Sequence, residues 1–322
     1  MQRKAAAASS TPRPPKREIH DESTSPLGFL YMCLTFIFKR FVFASTHVKI
    51  GIYFSALIVG SLMKDFNLVY KSPFFTNKYN FINLYFAKLS WFWTLLVTLP
   101  FILMTSLVYS GGNQLIVRNN LFRLVVATAL WFVWTKLFDL IDTNTGSCLS
   151  AQYKDKPSCK QNRHEWIGFD ISGHTFIFMH ALFLMLEEVK VYNVWEQLRR
   201  RVRENIAKLE QQNTTGNCES NCYGLTASSE SLIDRATYWY LQLNTYIKLN
   251  FFFMAMLALL WEVLLLTTFI YYHTIMHKVL AAFCATISWF VTYKLWYVNK
   301  DFLMSPGHPA NGIERLVPIN SK

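Results

Sequence analysis

Charge is what this sequence has least of. Only 16% of its 322 residues are Asp, Glu, Lys or Arg, where a soluble domain carries about 25%. The shortfall is uneven. Long apolar blocks alternate with short charged ones, which argues against an ordinary soluble domain and fits a chain whose solvent is lipid. Cysteine is scarce as well: six in the whole chain are too few for a disulfide framework. The segment 1–26 lacks the short apolar core and small-residue cleavage site of a signal peptide, so the first true span is expected to act as an uncleaved signal. No inverted repeat and no pair of Gly- or Pro-broken helices points to a transporter, and Pro100 alone predicts only a kink in its span.

What is present is apolar and aromatic. Hydrophobic residues make up 52% of the chain, with 27 Phe, 16 Tyr and 10 Trp, enough for belts at both membrane interfaces. The formal net charge of +12 sits in segments flanking the apolar blocks. Anionic lipid headgroups are therefore the expected partner, not nucleic acid.

A membrane helix needs about 20 mostly apolar residues. Such runs fall near 46–63, 85–108, 121–140, 173–191, 248–270 and 278–297. The reading is an all-α polytopic membrane protein with six transmembrane helices. An interfacial helix precedes them at 28–44, where Lys39-Arg40 breaks the apolar run. Residues 1–27 form a disordered cytosolic tail, 28–299 the membrane domain, and 300–322 a second cytosolic tail. Six spans put both termini on one side. The loop bearing Arg199, Arg200, Arg201 and Arg203, and the link bearing Arg118 and Arg123, mark that side as cytosolic.

A cytosolic insert is expected at about 196–245. Within it, Leu198, Val202, Ile206 and Leu209 recur at helical spacing, predicting a helix on the membrane surface or on a partner. Residues 211–231 are polar and read as flexible. The sequon Asn213-Thr214-Thr215 lies there and is expected to stay unmodified. Cys148 and Cys159 bracket a polar segment and can pair in an oxidising lumen. Cys218 and Cys222 are half of a zinc spacing with no second half, and Cys33 and Cys284 read as small hydrophobes.

Two stretches carry chemistry: Phe169-Asp170-Ile171-Ser172-Gly173-His174, entering the fourth span, and Tyr271 to Lys278, between the fifth and sixth. Counting spans brings both to one end of the bundle, opposite the basic loops. One imidazole can attack phosphorus while another protonates the leaving oxygen. Asp170 can hold an imidazolium, Ser172 and the free N–H groups of the helix start can bind a phosphate oxygen, and Gly173 leaves room for a close approach. His277 follows His273 at metal-binding spacing, but no carboxylate accompanies the pair, so no metal is expected. His180 reads as a packed core residue. Glu187 and Glu188 lie roughly 20 Å from His174 at 1.5 Å per residue and read as a cap, as partners of the basic loop or as a lipid-entry path. Glu262 needs a partner, and Asp139 and Asp142 are candidate supports for the histidines.

In this frame, FDISGHTFIF at 169–178, Glu187-Glu188 and YYHTIMHK at 271–278 resemble the fat storage-inducing transmembrane family of endoplasmic reticulum proteins. The likeness runs over about 28–297. That family is similar to the lipid phosphate phosphatases, one of whose motifs ends in Ser-Gly-His. The resemblance implies that His174 protonates the leaving group and that His273 is the nucleophile. It further implies a lumenal hydrolase that cleaves the diphosphate of fatty acyl-coenzyme A to an acyl 4'-phosphopantetheine and adenosine 3',5'-bisphosphate, without a cofactor. Roles in endoplasmic reticulum lipid balance and lipid droplet formation are implied with it, as are diacylglycerol, triacylglycerol and ER-shaping or cytoskeletal proteins as partners. The phosphatases' Lys…Arg-Pro and Ser-Arg…His…Asp motifs are missing. Lys156 and Arg163 have the first motif's spacing, but His164 replaces the Pro. Arg163, Lys160 and Lys278 are the candidate phosphate-clamping cations. The competing reading is a lipid-binding scaffold that partitions diacylglycerol or triacylglycerol without turnover.

Overall fold

Ser45 opens the first helix by accepting the Val48 N–H on its hydroxyl, an ordinary N-terminal cap. This computed structural model describes residues 44–69, 73, 77, 79–150, 152–215, 227–299, 305–309, 313 and 316. The expected tail at 1–27, nearly all of the interfacial helix, Cys33, Cys218 and Cys222 lie outside them. Helix α1 is Thr46–Asp65. A π-helical turn at Ile82–Ala87 leads into α2, Ser90–Ser110. Gly111 and Gly112 end α2 with positive φ of 59° and 82°. A Cβ on either would come within 3 Å of Leu232 or Trp239, so only glycine makes this turn without displacing the neighbouring helix.

Asn113 caps α3, Gln114–Thr145. A small cap structure follows: β1 (Ser147–Cys148) pairs antiparallel with β2 (Trp166–Ile167), enclosing the short helix α4, Lys156–Gln161. A Cys148–Cys159 disulfide, with Cα atoms 5.8 Å apart, staples it. Ser172 caps α5, Gly173–Glu188, which passes through a 3-10 segment, Val189–Val194, into α6, Trp195–Thr215. Helix α7 is Ala227–Tyr271. Helix α8, Ile275–Trp289, continues as a π-helical segment to Trp296.

Among the described residues, five helices are long and apolar enough to cross a membrane: α1, α2, α3, α7 and α8 with its extension. The fourth expected span is α5, and it takes a different place. Every residue from Thr175 to Glu188 is buried, because α5 is apolar on all sides and serves as the axis on which α2, α7 and α8 pack. Its 16 residues rise about 24 Å. The far end meets the start of α1 through Thr46 and Glu187, and α3 and α8 through Arg123, Tyr293 and Glu188. It therefore runs from one end of the bundle to the other.

The insert expected at about 196–245 is largely helical. Helix α7 begins at Ala227, well before the apolar run at 248, and α6 folds back along it. Leu198 and Val202 are fully buried, Trp195 Nε1 donates to Asn244, and Asn205 donates to Asp234 and Thr237. The amphipathic stripe of α6 thus finds its apolar partner within the chain. Glu262 finds its partners in α1, where the Lys49 ammonium lies 2.7 Å and the Tyr53 hydroxyl 2.6 Å from its carboxylate. His180 is a core residue, as expected. Its Nε2 lies 3.0 Å from the Ala127 carbonyl and its ring stacks between Trp91 and Phe176.

Candidate active site

Four segments meet at one end of the bundle: the last turn of α1, residues 79–88 before α2, residues 168–174 entering α5, and the link between α7 and α8. Backbone contacts lock them. The Ser172 N–H donates to the His277 carbonyl at 3.3 Å, and the Lys64 ammonium donates to the His273 carbonyl at 2.7 Å. His273 itself has φ of 49°, the left-handed region that costs a non-glycine residue about 1–2 kcal/mol. Strain of this kind is concentrated at functional sites, and here the Lys64 bond helps to hold it.

Between the segments lies a pocket of about 530 Å³. Its exposed mouth carries Tyr79, Lys88, Asp170 and His174 with the half-buried Asn83, Tyr272 and His273, and its buried floor is Ala87, Phe178 and Leu264 with Thr267 and Thr268. The two threonine hydroxyls donate to carbonyls of their own helix, so no hydroxyl proton is left for a ligand. The pocket is polar where a phosphate would lie and apolar beneath. His174, on the first turn of α5, is exposed to it.

Asp170 faces His273, with Oδ2 3.7 Å from Nδ1. That is too long for a hydrogen bond, but it places the carboxylate on the Nδ1 side and leaves Nε2 for chemistry. Burial pushes the His273 imidazole below its ordinary value of 6.5. Asp170 opposes the shift, while His277, Lys64 and Lys278 reinforce it. The ring is therefore neutral at pH 7, the form a nucleophile needs. Ser172 accepts the Thr175 N–H and pairs with the Thr175 hydroxyl at 2.9 Å. Among the described residues, the Gly173 and His174 N–H groups meet no acceptor. A Cβ on Gly173 would touch nothing within 4 Å, so chain packing does not demand glycine there.

The cation candidates fare differently. Lys278 is fully buried and its ammonium donates to the Phe269 carbonyl at 2.7 Å. Arg163 and Lys160 are exposed on the cap around α4. None of the three lines the pocket. Asp139 and Asp142 both bind Lys156, at 2.6 and 2.7 Å, so they anchor the cap and do not face the histidines. That cap sets Asp170 in place, since the Phe169 N–H donates to Thr145 at 3.0 Å. His277 turns edge-on to Phe169, with centroids 4.6 Å apart. Among the described residues, no three His, Cys, Asp or Glu are grouped to hold a metal. The polar pocket residues that sequence reasoning missed are Tyr79, Asn83 and Lys88; Tyr272 lies in the stretch from Tyr271 to Lys278. The only signal was a lysine near the start of an apolar run on the end where basic residues are otherwise less concentrated.

Glu187 and Glu188 lie at the opposite end, in a buried polar cluster. Arg123 grips Glu188 through Nε and Nη2, each at 2.7 Å, and the Tyr293 hydroxyl donates to the same carboxylate. Thr46, Trp289 and Lys190 donate to Glu187. Glu187 does pair locally with Lys190, which lies within the expected fourth span and not in the basic loop, and the main partners come from distant helices.

The family model described as fat storage-inducing transmembrane protein matches residues 71–143 and 141–293, more than half of the chain and both histidine stretches. A protein of Drosophila melanogaster is 32% identical over 91% of this chain and 67% of its own length. One of Danio rerio is 30% identical over 80% and 86% respectively, and one of Homo sapiens 29% over 79% and 83%. All three are named acyl-coenzyme A diphosphatase FITM2. No solved structure matches the chain significantly. With five helices fit to cross a membrane among the described residues and a family match across the bundle, the chain is a multi-pass membrane protein of the fat storage-inducing transmembrane family.

Proposed function

We propose that this chain is an acyl-coenzyme A diphosphatase whose active site is the pocket shared by His174 and His273. The observation that carries the reading is their convergence, with Asp170, at the mouth of a cavity whose floor is apolar. Such a cavity suits a substrate that is anionic at one end and greasy at the other.

In the proposed reaction Nε2 of neutral His273 attacks one phosphorus of the diphosphate. The nitrogen–phosphorus bond forms as the bridging phosphorus–oxygen bond breaks, and protonated His174 gives its proton to the departing oxygen. Water, deprotonated by His174, then displaces His273. Asp170 steadies the positive charge on the ring as Nε2 bonds to phosphorus, and the open N–H groups of Gly173 and His174 can receive a phosphoryl oxygen.

The reading places the pocket on the lumenal face of the endoplasmic reticulum membrane and both termini in the cytosol. Two observations support that orientation. The Cys148–Cys159 disulfide sits at the pocket end, as an oxidising compartment would allow. Arg200, Arg201 and Arg203 are exposed on α6, beyond the opposite end.

The test is product identity. Purified protein given oleoyl-coenzyme A is expected to release oleoyl 4'-phosphopantetheine and adenosine 3',5'-bisphosphate in equal amounts, measured by mass spectrometry. Free oleate with intact coenzyme A, or no turnover at all, would overturn the reading.

A further inference from the structure

A diphosphate approaching this pocket meets the Asp170 carboxylate, which is exposed at the mouth. Like charges repel, so a site for that substrate needs a cation on the opposing wall. Of the twelve described residues lining the pocket, one is a lysine and none an arginine: the lysine is Lys88. Lys64 and Lys278 stand close by, but each ammonium is bonded to a backbone carbonyl. The Lys88 side chain is exposed, and among the described residues its ammonium has no acceptor.

The local fold aims this side chain deliberately. The Lys88 N–H reaches back five residues to the Asn83 carbonyl at 3.2 Å, closing the π-helical turn Ile82–Ala87, a wide turn often found at functional sites. Asn83 braces the turn on both sides, donating to the Asn77 carbonyl at 3.0 Å and to the Tyr272 hydroxyl at 3.3 Å. Tyr272 immediately precedes His273. The turn that carries Lys88 is thus tied to the segment that carries the nucleophile, across the mouth of one cavity.

We propose that Lys88 is the cation that binds the diphosphate of the substrate, opposite His273 and Asp170. The assignment rests on the diphosphatase reading of the pocket. It makes the mouth selective for an anionic diphosphate over an uncharged lipid such as diacylglycerol, which offers nothing for an ammonium to neutralise.

The test compares full-length wild type, Lys88→Met and Lys88→Arg with oleoyl-coenzyme A. Lys88→Met is expected to lower kcat/KM roughly 10- to 100-fold, somewhat less than the loss of a fully enclosed charge-stabilising donor. Lys88→Arg should stay within a few-fold of wild type, and kcat/KM of Lys88→Met should depend less on salt because the screened attraction is gone. A parallel arm measures binding of coenzyme A to His174→Ala and to His174→Ala/Lys88→Met. If wild type turns over and Lys88→Met matches it, the inference fails while the diphosphatase reading stands. If wild type is inert yet coenzyme A binding depends on Lys88, the reading fails and the inference stands. Inert wild type with coenzyme A binding absent or indifferent to Lys88 overturns both.

Discussion

Alanine at position 273 is expected to reduce hydrolysis of oleoyl-coenzyme A to background, and alanine at 174 to reduce kcat by about 10²–10⁴, the usual worth of a positioned acid–base group. The double variant should be no worse than His273→Ala, because groups that act as one unit do not contribute additively. Stability should barely move. His174 is exposed in the pocket and the His273 side chain makes no close hydrogen bond in the structure. The backbone adds a finer test. Because φ at 273 is positive, His273→Gly should be as inactive as His273→Ala yet more stable by about 1 kcal/mol. In wild type, the low-pH fall in activity should lie below 6.5, since the fold lowers the His273 pKa and only acid protonates the nucleophile, and activity should fall again at higher pH as His174 loses the proton it must donate. Undiminished hydrolysis in both alanine variants would remove the assignment.

The second large effect belongs to the other end of the bundle. Arg123 and Glu188 are each about 1% exposed and joined by two bonds of 2.7 Å. Arg123→Ala leaves a carboxylate buried without its cation, and removing one partner of such a pair costs about 3–5 kcal/mol. Detergent-solubilised Arg123→Ala should therefore unfold at a clearly lower temperature than wild type. The double variant Arg123→Met/Glu188→Leu should recover most of that loss, since an apolar pair of similar volume replaces the ion pair without an unpaired charge. If both unfold alike, the pair is not what holds this end together. Together the two experiments separate the ends: the histidine rim governs turnover, and the acidic pair governs assembly of α3, α5 and α8.

The contrast between these ends shows what the sequence disclosed. Hydropathy located the spans, because lipid imposes its requirement on each helix separately. The Ser172 cap is local in the same way, since its partner, Thr175, is three residues away. Span parity brought His174 and His273 to one rim without any knowledge of packing. Contacts between distant helices were not legible. Nothing local in α5 names Arg123 as the partner of Glu188, and nothing in α7 names Lys49 as that of Glu262. The cations chosen for nearness in sequence, Arg163 and Lys278, lie off the pocket, whereas Lys88, far from both histidines in sequence, lines it. The length of α7 was hidden as well. Its first turns are polar, and Ala236, Tyr240 and Ile247 become a buried face only once α6 and the bundle pack on them.

The central claim is that His273 forms a bond to phosphorus while sharing its pocket with His174. The most direct measurement is an alkaline quench of wild type during turnover of oleoyl-coenzyme A, followed by peptide mass mapping. A phosphoramidate adduct on His273, absent from His273→Ala, is the predicted result. An adduct on another residue, or turnover that proceeds with no adduct on His273 at any quench time, would contradict it.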